Sequence, residues 1–234
     1  YMKTTTAGVS PEVNGFLPLS RAEMEARGWD RPDFVYVTGD AYVDHPSFGV
    51  AIISRVLEDA GYRVAILAQP DYTSCEAFRE YGKPRLGFLV TAGNIDSMVA
   101  HYTASKKRRS EDYYSPGCKA GKRPDRACIV YCNRIREAYG DVPIILGGLE
   151  ASLRRFAHYD YWDDRVRRSL LVDSRADLLT YGMGENILLR IAELLDRGVP
   201  VKKIRDVRGS VWMGKAGDAI HFPVAAEFDF NELK

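Results

Sequence analysis

The 234-residue sequence predicts an α/β fold, a parallel sheet of about five strands with helices on both faces. Three observations carry this. Short apolar or β-branched runs recur at residues 34–38, 62–68, 85–91, 143–146 and 177–181. Stretches with apolar residues at helical spacing separate most of these runs. Four of the runs end in polar turns that carry glycine.

The elements follow in order. Residues 1–30 read as an extended arm and a short helix, with the piece from Gly15 to Leu19 packing. Ser20-Arg-Ala-Glu23 is a capping box: Ser caps the first turn, Glu returns to the Ser amide, and the helix stops before Gly28. Residues 34–38, FVYVT, form the first strand. A loop from Gly39 to Ser47 leads into a helix over 48–60 with Gly61 as its C-cap. Strand 62–68 is broken by Pro70, and a short helix at 75–81 precedes strand 85–91 and a helix at 95–102. Residues 103–123 have no apolar period and hold Lys106-Lys-Arg-Arg109, Pro116-Gly117 and Gly121, so they are an insertion loop. Pro124 suits the first turn of a helix that runs to Ala138. Strands are predicted near 143–146, 168–172 and 177–181, and the last strong helix covers 185–196. The α/β domain spans 31–200, and a tail over 201–234, with short strands around 204–213 and 221–224, reads as a linker. About five core strands favour the flavodoxin-like, Rossmann-type order 2-1-3-4-5 over the six-strand dinucleotide fold.

Composition excludes several classes. The apolar share of 46% is that of a globular chain, and 33 basic residues face 32 acidic ones, so net charge gives no reason to expect a nucleic-acid or membrane partner. No apolar run approaches the roughly 18 residues that span a bilayer. Residues 1–20 lack the pattern of a secretory signal, and a cytoplasmic location is the default expectation. Cys75, Cys118, Cys128 and Cys132 are expected as thiols. Cys128 and Cys132 share a helix face, but no further ligand follows at close spacing, so no metal site is assigned.

In such a sheet, ligands bind beyond the carboxyl ends of the strands, where strand order reverses. Those ends supply Asp40 with Asp44 and His45; Asn94, Asp96 and Ser97; Gly147, Gly148, Glu150 and Ser152; and Gly184 with Glu185. Glycine lets backbone approach a ligand, and free amides at a helix start attract phosphate or carboxylate. Asp44-His45 reads either as an acid–base or metal-ligating pair or as a hydrogen-bonded structural turn. His158, Tyr159, Asp160 and Trp162 are denser in polar aromatics than a connector needs, which suits an interface. Lys106 to Arg109, Arg154, Arg155, Arg165, Arg167 and Arg168, interleaved with Tyr113, Tyr114 and Trp162, suit a single-strand nucleic-acid channel. The alternative is a solvated loop with Arg–Asp pairs to Asp160, Asp163 and Asp164. A Walker A loop, a full dinucleotide fingerprint and a serine nucleophile elbow are all missing, so no catalytic residue is assigned.

Asp44-His-Pro-Ser-Phe-Gly49, Gln69-Pro70, Thr91-Ala-Gly-Asn-Ile-Asp-Ser-Met98, Arg123-Pro-Asp-Arg-Ala127, Gly147-Gly-Leu-Glu-Ala-Ser-Leu-Arg-Arg155, His158-Tyr-Asp-Tyr-Trp162 and Tyr181-Gly-Met-Gly-Glu185 span nearly the whole chain in order. With these pieces the chain resembles the N-terminal region of the YgiQ-like radical SAM proteins, an uncharacterised family. The resemblance implies a cobalamin-binding-like α/β domain followed by a radical SAM barrel, whose C-x-x-x-C-x-x-C motif holds a 4Fe-4S cluster that binds S-adenosylmethionine. Cys128 and Cys132 match only the first spacing, with Ile135 where a third cysteine would fall. The chain is therefore expected to be an accessory domain without cofactor of its own, its crevice facing the barrel of the same polypeptide. Cobalamin-ligating domains carry D-x-H-x-x-G. Here Asp44 and Gly49 keep that separation, but His45 comes one residue early and Pro46 takes its place. A vestigial or repurposed crevice is favoured over bound cobalamin. Two other readings stand beside this one: a module delivering RNA to a modifying enzyme, and a free-standing flavodoxin-like domain for a phosphate-bearing cofactor.

Overall fold

The computed structural model describes residues 15–215. Its strands are β1 (Phe34–Thr38), β2 (Val64–Ala68), β3 (Gly87–Thr91), β4 (Ile144–Leu146), β5 (His158–Asp160), β6 (Arg165–Arg167), β7 (Leu178–Thr180) and β8 (Ser210–Trp212). The α-helices are α1 (Arg21–Ala26), α2 (Gly49–Asp59), α3 (Ser97–His101), α4 (Ala127–Tyr139), α5 (Gly148–Leu153), α6 (Leu170–Ser174) and α7 (Glu185–Asp196).

Six strands form the central sheet in the order β2-β1-β3-β4-β7-β8, and β8 alone runs antiparallel to its neighbour. The five parallel strands have the flavodoxin-like order, with the reversal between β1 and β3. The sequence dictates this through strands that are apolar on both faces. Val35 and Val37 of β1 pack with Cys128, Tyr131 and Ile135 of α4 and Leu170 of α6. The alternate residues Phe34 and Tyr36 pack with Ile53 and Leu57 of α2 and Leu188 and Ile191 of α7. Each face thus owns one helix pair and one core.

Local signals hold at several ends. Ser20 Oγ accepts from the Glu23 amide, while Glu23 reaches back to the Leu19 amide rather than to that of Ser20. Gly61 takes a left-handed φ of 91° just after α2. Other ends differ from expectation. Residues 168–172 are not a strand: Ser169 Oγ caps the amide of Leu171 and starts α6, whose Leu170, Leu171 and Ser174 share one buried face. A short apolar run carries no period long enough to separate the two outcomes. Helix α4 starts at Ala127 rather than Pro124, because Arg126 holds a left-handed φ of 51°. The strand expected over 204–213 shrinks to β8, and β5 and β6 form a separate antiparallel hairpin that periodicity did not signal. The strand at 221–224 and residues 1–14 of the arm lie outside the described residues.

Candidate functional site

A cavity of about 240 Å³ opens at the carboxyl ends of the parallel strands, on the face covered by α2 and α7. Thr38 and Asp40 enter it from the end of β1, Thr91, Gly93 and Asn94 from β3, Gly147 and Gly148 from β4, and Thr180 from β7. Gly182, Met183, Gly184 and Glu185 complete the rim at the start of α7. Its inner wall is apolar, made by Tyr36, Val50, Ile53 and Leu188.

The threonines hold the turns rather than pointing freely. Thr38 Oγ1 accepts from the Asp40 amide at 3.2 Å, Thr91 Oγ1 from the Gly93 amide at 3.2 Å, and Thr180 Oγ1 donates to the Leu146 carbonyl at 3.1 Å. Among the glycines that line the cavity, Gly148 and Gly93 are the two whose backbone and surroundings both require glycine. At Gly148 φ is 82°, and a Cβ there would collide with Thr91 Oγ1. Gly93, at φ 113°, lies so close to Asp40 that a Cβ would overlap the carboxylate. The four turns therefore interlock, and backbone lines much of the opening.

Asp40 is the charged group of the cavity floor. It is 1% exposed, and its Oδ2 accepts from the Asn94 amide at 2.6 Å. Beneath it lies Arg123, fully buried, with Nη1 2.9 Å from Asp40 Oδ1 and donating to the Ala92 carbonyl at 2.8 Å. The contact with Asp40 is a buried ion pair. Nη2 of Arg123 donates to both oxygens of buried Asp112, at 3.0 and 2.9 Å. Burial outweighs the attraction of Arg123 and pushes the Asp40 carboxyl up to about 6.

Of the residues singled out from sequence, Asp40, Asn94, Gly147, Gly148, Gly184 and Glu185 line this cavity together. The structure places the others around it. Asp44 is held by Arg55 of α2, which keeps its carboxyl below the usual range. His45 is exposed, and its Nδ1 accepts from the Ser47 amide at 3.1 Å. Asp96 caps α3 through the Met98 and Val99 amides and pairs with Arg154 at 2.7 Å. Glu150 turns into the core, where it accepts from the Ser97 amide and hydroxyl at 2.9 and 2.6 Å and from the Cys128 amide at 3.2 Å. Ser152 joins two turns, donating to the Gly148 carbonyl and accepting from the Gly182 amide.

His158, Tyr159, Asp160 and Trp162 belong to the hairpin beside the crevice. His158 Nδ1 lies 3.1 Å from the Phe156 carbonyl, and Tyr159 hydrogen-bonds Asp164. Asp160 is buried, paired with Arg126 at 3.0 Å, and accepts from the Trp162 and Asp163 amides. These pairs hold the Asp160 carboxyl below its usual range against the opposing effect of burial. Arg154 sits 6.0 Å from the Trp162 ring centroid. Arg123 and the three threonines carry no weight as single letters in the sequence; only the strand-end position of the threonines marked them. Among the described residues no group of three or more His, Cys, Asp or Glu side chains is arranged to hold a metal. No helix among them is long and apolar enough to cross a membrane.

Residues 16–232 match the family model described as the radical SAM N-terminal domain. The chain belongs to the radical SAM N-terminal family. It is 58% identical over 221 residues to a UPF0313 protein of Clostridium botulinum strain Okra, covering 93% of this chain and 34% of that protein. A UPF0313 protein of Clostridium perfringens strain SM101 is 59% identical over 208 residues, with 89% and 31% covered. The chain thus spans about a third of the length of the curated relatives it matches. Among solved structures its fold is similar to the radical S-adenosylmethionine methyltransferase TsrM from Kitasatospora setae. The form with tryptophan substrate and a SAM analogue gives a TM-score of 0.51 at 19% identity, covering 76% of this chain and 28% of that one. The form with cobalamin and a [4Fe-4S] cluster gives 0.50 at 20%, covering 77% and 27%. At that identity the likeness establishes a cobalamin-binding-like α/β fold.

Proposed function

We propose that this domain forms one wall of the active chamber of a radical SAM enzyme, its sheet-end crevice turned toward a catalytic barrel of the same polypeptide that carries the 4Fe-4S cluster and S-adenosylmethionine. The observation that carries this is an apolar rim. Leu149 and Met183 line the opening, and Met183 is 82% exposed. Arg155 stacks on both Phe156 and Tyr181, at 5.0 and 4.9 Å, two further exposed rings in the segments that flank the opening. Contiguous exposed apolar surface around a polar opening marks a contact face. A closed wall also excludes water, which a reactive intermediate requires.

Cobalamin held through a protein imidazole does not fit these residues. His45 faces solvent, no described histidine lines the cavity, and Asp44 is committed to Arg55. The cavity is also smaller than the roughly 300–1,000 Å³ of sites that enclose a whole drug-sized ligand. The crevice therefore suits a part of a larger molecule that the barrel also grips, with Asp40 and Asn94 as its polar contacts.

Hydrogen exchange on the intact natural protein and on residues 15–215 alone tests this. Amides of 147–155 and 181–185 are expected to exchange many-fold more slowly in the intact protein. Equal exchange of those segments in both would overturn the reading.

A further inference from the structure

We infer that the face built by the insertion loop and the β5–β6 hairpin binds single-stranded RNA, a reading that goes beyond the crevice and does not rest on it. Residues 103–122 carry six basic side chains, Lys106, Lys107, Arg108, Arg109, Lys119 and Lys122, and all six are exposed. Elsewhere the arginines are largely matched: Arg55, Arg85, Arg126, Arg136, Arg154 and Arg167, for example, all sit in ion pairs. None of the six cations of the loop is in an ion pair among the described residues. Of the acids within the loop, Asp112 is already neutralised by Arg123, which leaves Glu111. Asp125, whose carboxyl Arg108 also helps to lower, is hydrogen-bonded by His101 and Tyr102 at 2.5 and 2.7 Å. The chain is near neutral overall, while this loop sets six exposed cations against Glu111 and the already paired Asp112, the electrostatic footprint of a polyanion site.

Aromatic groups convert that charge into a preference. Lys106 Nζ stands 4.8 Å from the centre of the Tyr161 ring and donates to the Trp162 carbonyl at 3.4 Å, so the loop and the hairpin form one surface. The Tyr161 hydroxyl reaches back to the Ala104 carbonyl at 2.7 Å. Tyr161 and Trp162 pack edge-to-face at 5.7 Å, and Tyr113 projects from the same loop, 79% exposed. Cations that follow a backbone, beside rings on which bases stack, are the parts of a single-strand site. Unstacked bases of this kind are what RNA loops and ends present, whereas a duplex hides them. An anionic lipid surface would also draw both the cations and the interfacial rings, and the vesicle arm of the test separates it from RNA.

The test is fluorescence anisotropy of a labelled, unstructured oligoribonucleotide with the intact natural protein, run across a salt series. With four phosphates neutralised, the dissociation constant should rise about fifty-fold between roughly 50 and 200 mM salt. Neutralising Lys106, Lys107, Arg108 and Arg109 to Gln should flatten that dependence, and a Lys119→Gln/Lys122→Gln pair should reduce it by a smaller amount. Tyr161→Ala and Tyr113→Ala should weaken binding about five-fold or more at every salt concentration and leave the slope unchanged. Absence of binding at the lowest salt would overturn the inference, as would a quadruple variant that stays folded and binds like wild type. So would tyrosine variants that bind normally, which would mark a charge-only surface, or equal affinity for anionic phospholipid vesicles, which would mark a lipid surface.

Discussion

Arg123 and Asp40 face each other 2.9 Å apart in the floor of the crevice, both essentially cut off from solvent. The guanidinium is shared with Asp112 and the Ala92 carbonyl, so one buried cation fastens the insertion loop to the ends of β1 and β3. Removing one partner of a buried ion pair costs more than the pair contributes, because the remaining charges stay buried.

Arg123→Met should therefore cost about 3–5 kcal/mol of folding stability, since it strands two carboxylates. Adding Asp112→Asn to that variant should return part of the loss, because one stranded charge disappears. Urea unfolding of the three proteins measures both steps. Wild-type stability in Arg123→Met would show that the cation is not structural.

Asp40 should make stability fall with rising pH. Its folded pKa is about 6 against 3.8 for the free side chain, so between those values the folded state holds more proton than the unfolded one. The favourable contribution is complete below about pH 4, is lost as pH rises to about 6, and is worth roughly 3 kcal/mol. Several other acids, including Asp44, Asp125 and Asp160, are shifted downward and act in the opposite sense at lower pH. The difference between wild type and Asp40→Asn isolates the effect. Across that window the variant should gain stability relative to wild type, and a flat difference would refute the assignment.

These two residues also mark what sequence shows and conceals. Asp40 is legible because it follows a strand that is apolar on both faces, and strand ends of such sheets converge on one edge. The five parallel strands and their order are legible for the same reason. Arg123 is not legible: in Arg123-Pro-Asp-Arg it reads like any surface cation, and its partners are supplied by Ala92 and Asp112 through the fold. Glu150 meets Ser97 across 53 residues, and only packing decides that it turns inward rather than toward the crevice. Helix α6 is hidden by length, since its single turn is too short to show a period.

Gly148→Ala should destabilise the protein by about 2 kcal/mol or more, combining a left-handed backbone with a collision at Thr91 Oγ1. Thr91→Ala removes the oxygen, and its own loss should be modest. In the double variant the backbone strain remains while the collision is relieved, so the two losses should sum to more than is observed. Thermal or urea unfolding of the four proteins closes the cycle. Strict additivity would mean that the turns after β3 and β4 do not interlock as described.

The thiols of α4 should be inert while the domain is folded. Cys128 and Cys132 are fully buried; burial lifts the Cys128 thiol well above its usual range and the Cys132 thiol to about 12. Nucleophilic attack needs the thiolate, and neither residue supplies it at neutral pH. Cys118 lies exposed in the insertion loop and should react first with a chromogenic disulfide. Cys128 and Cys132 should follow only as the domain opens, at a rate that rises with urea in step with unfolding. Fast labelling of Cys128 in the native state would mean that α4 is not seated on the sheet.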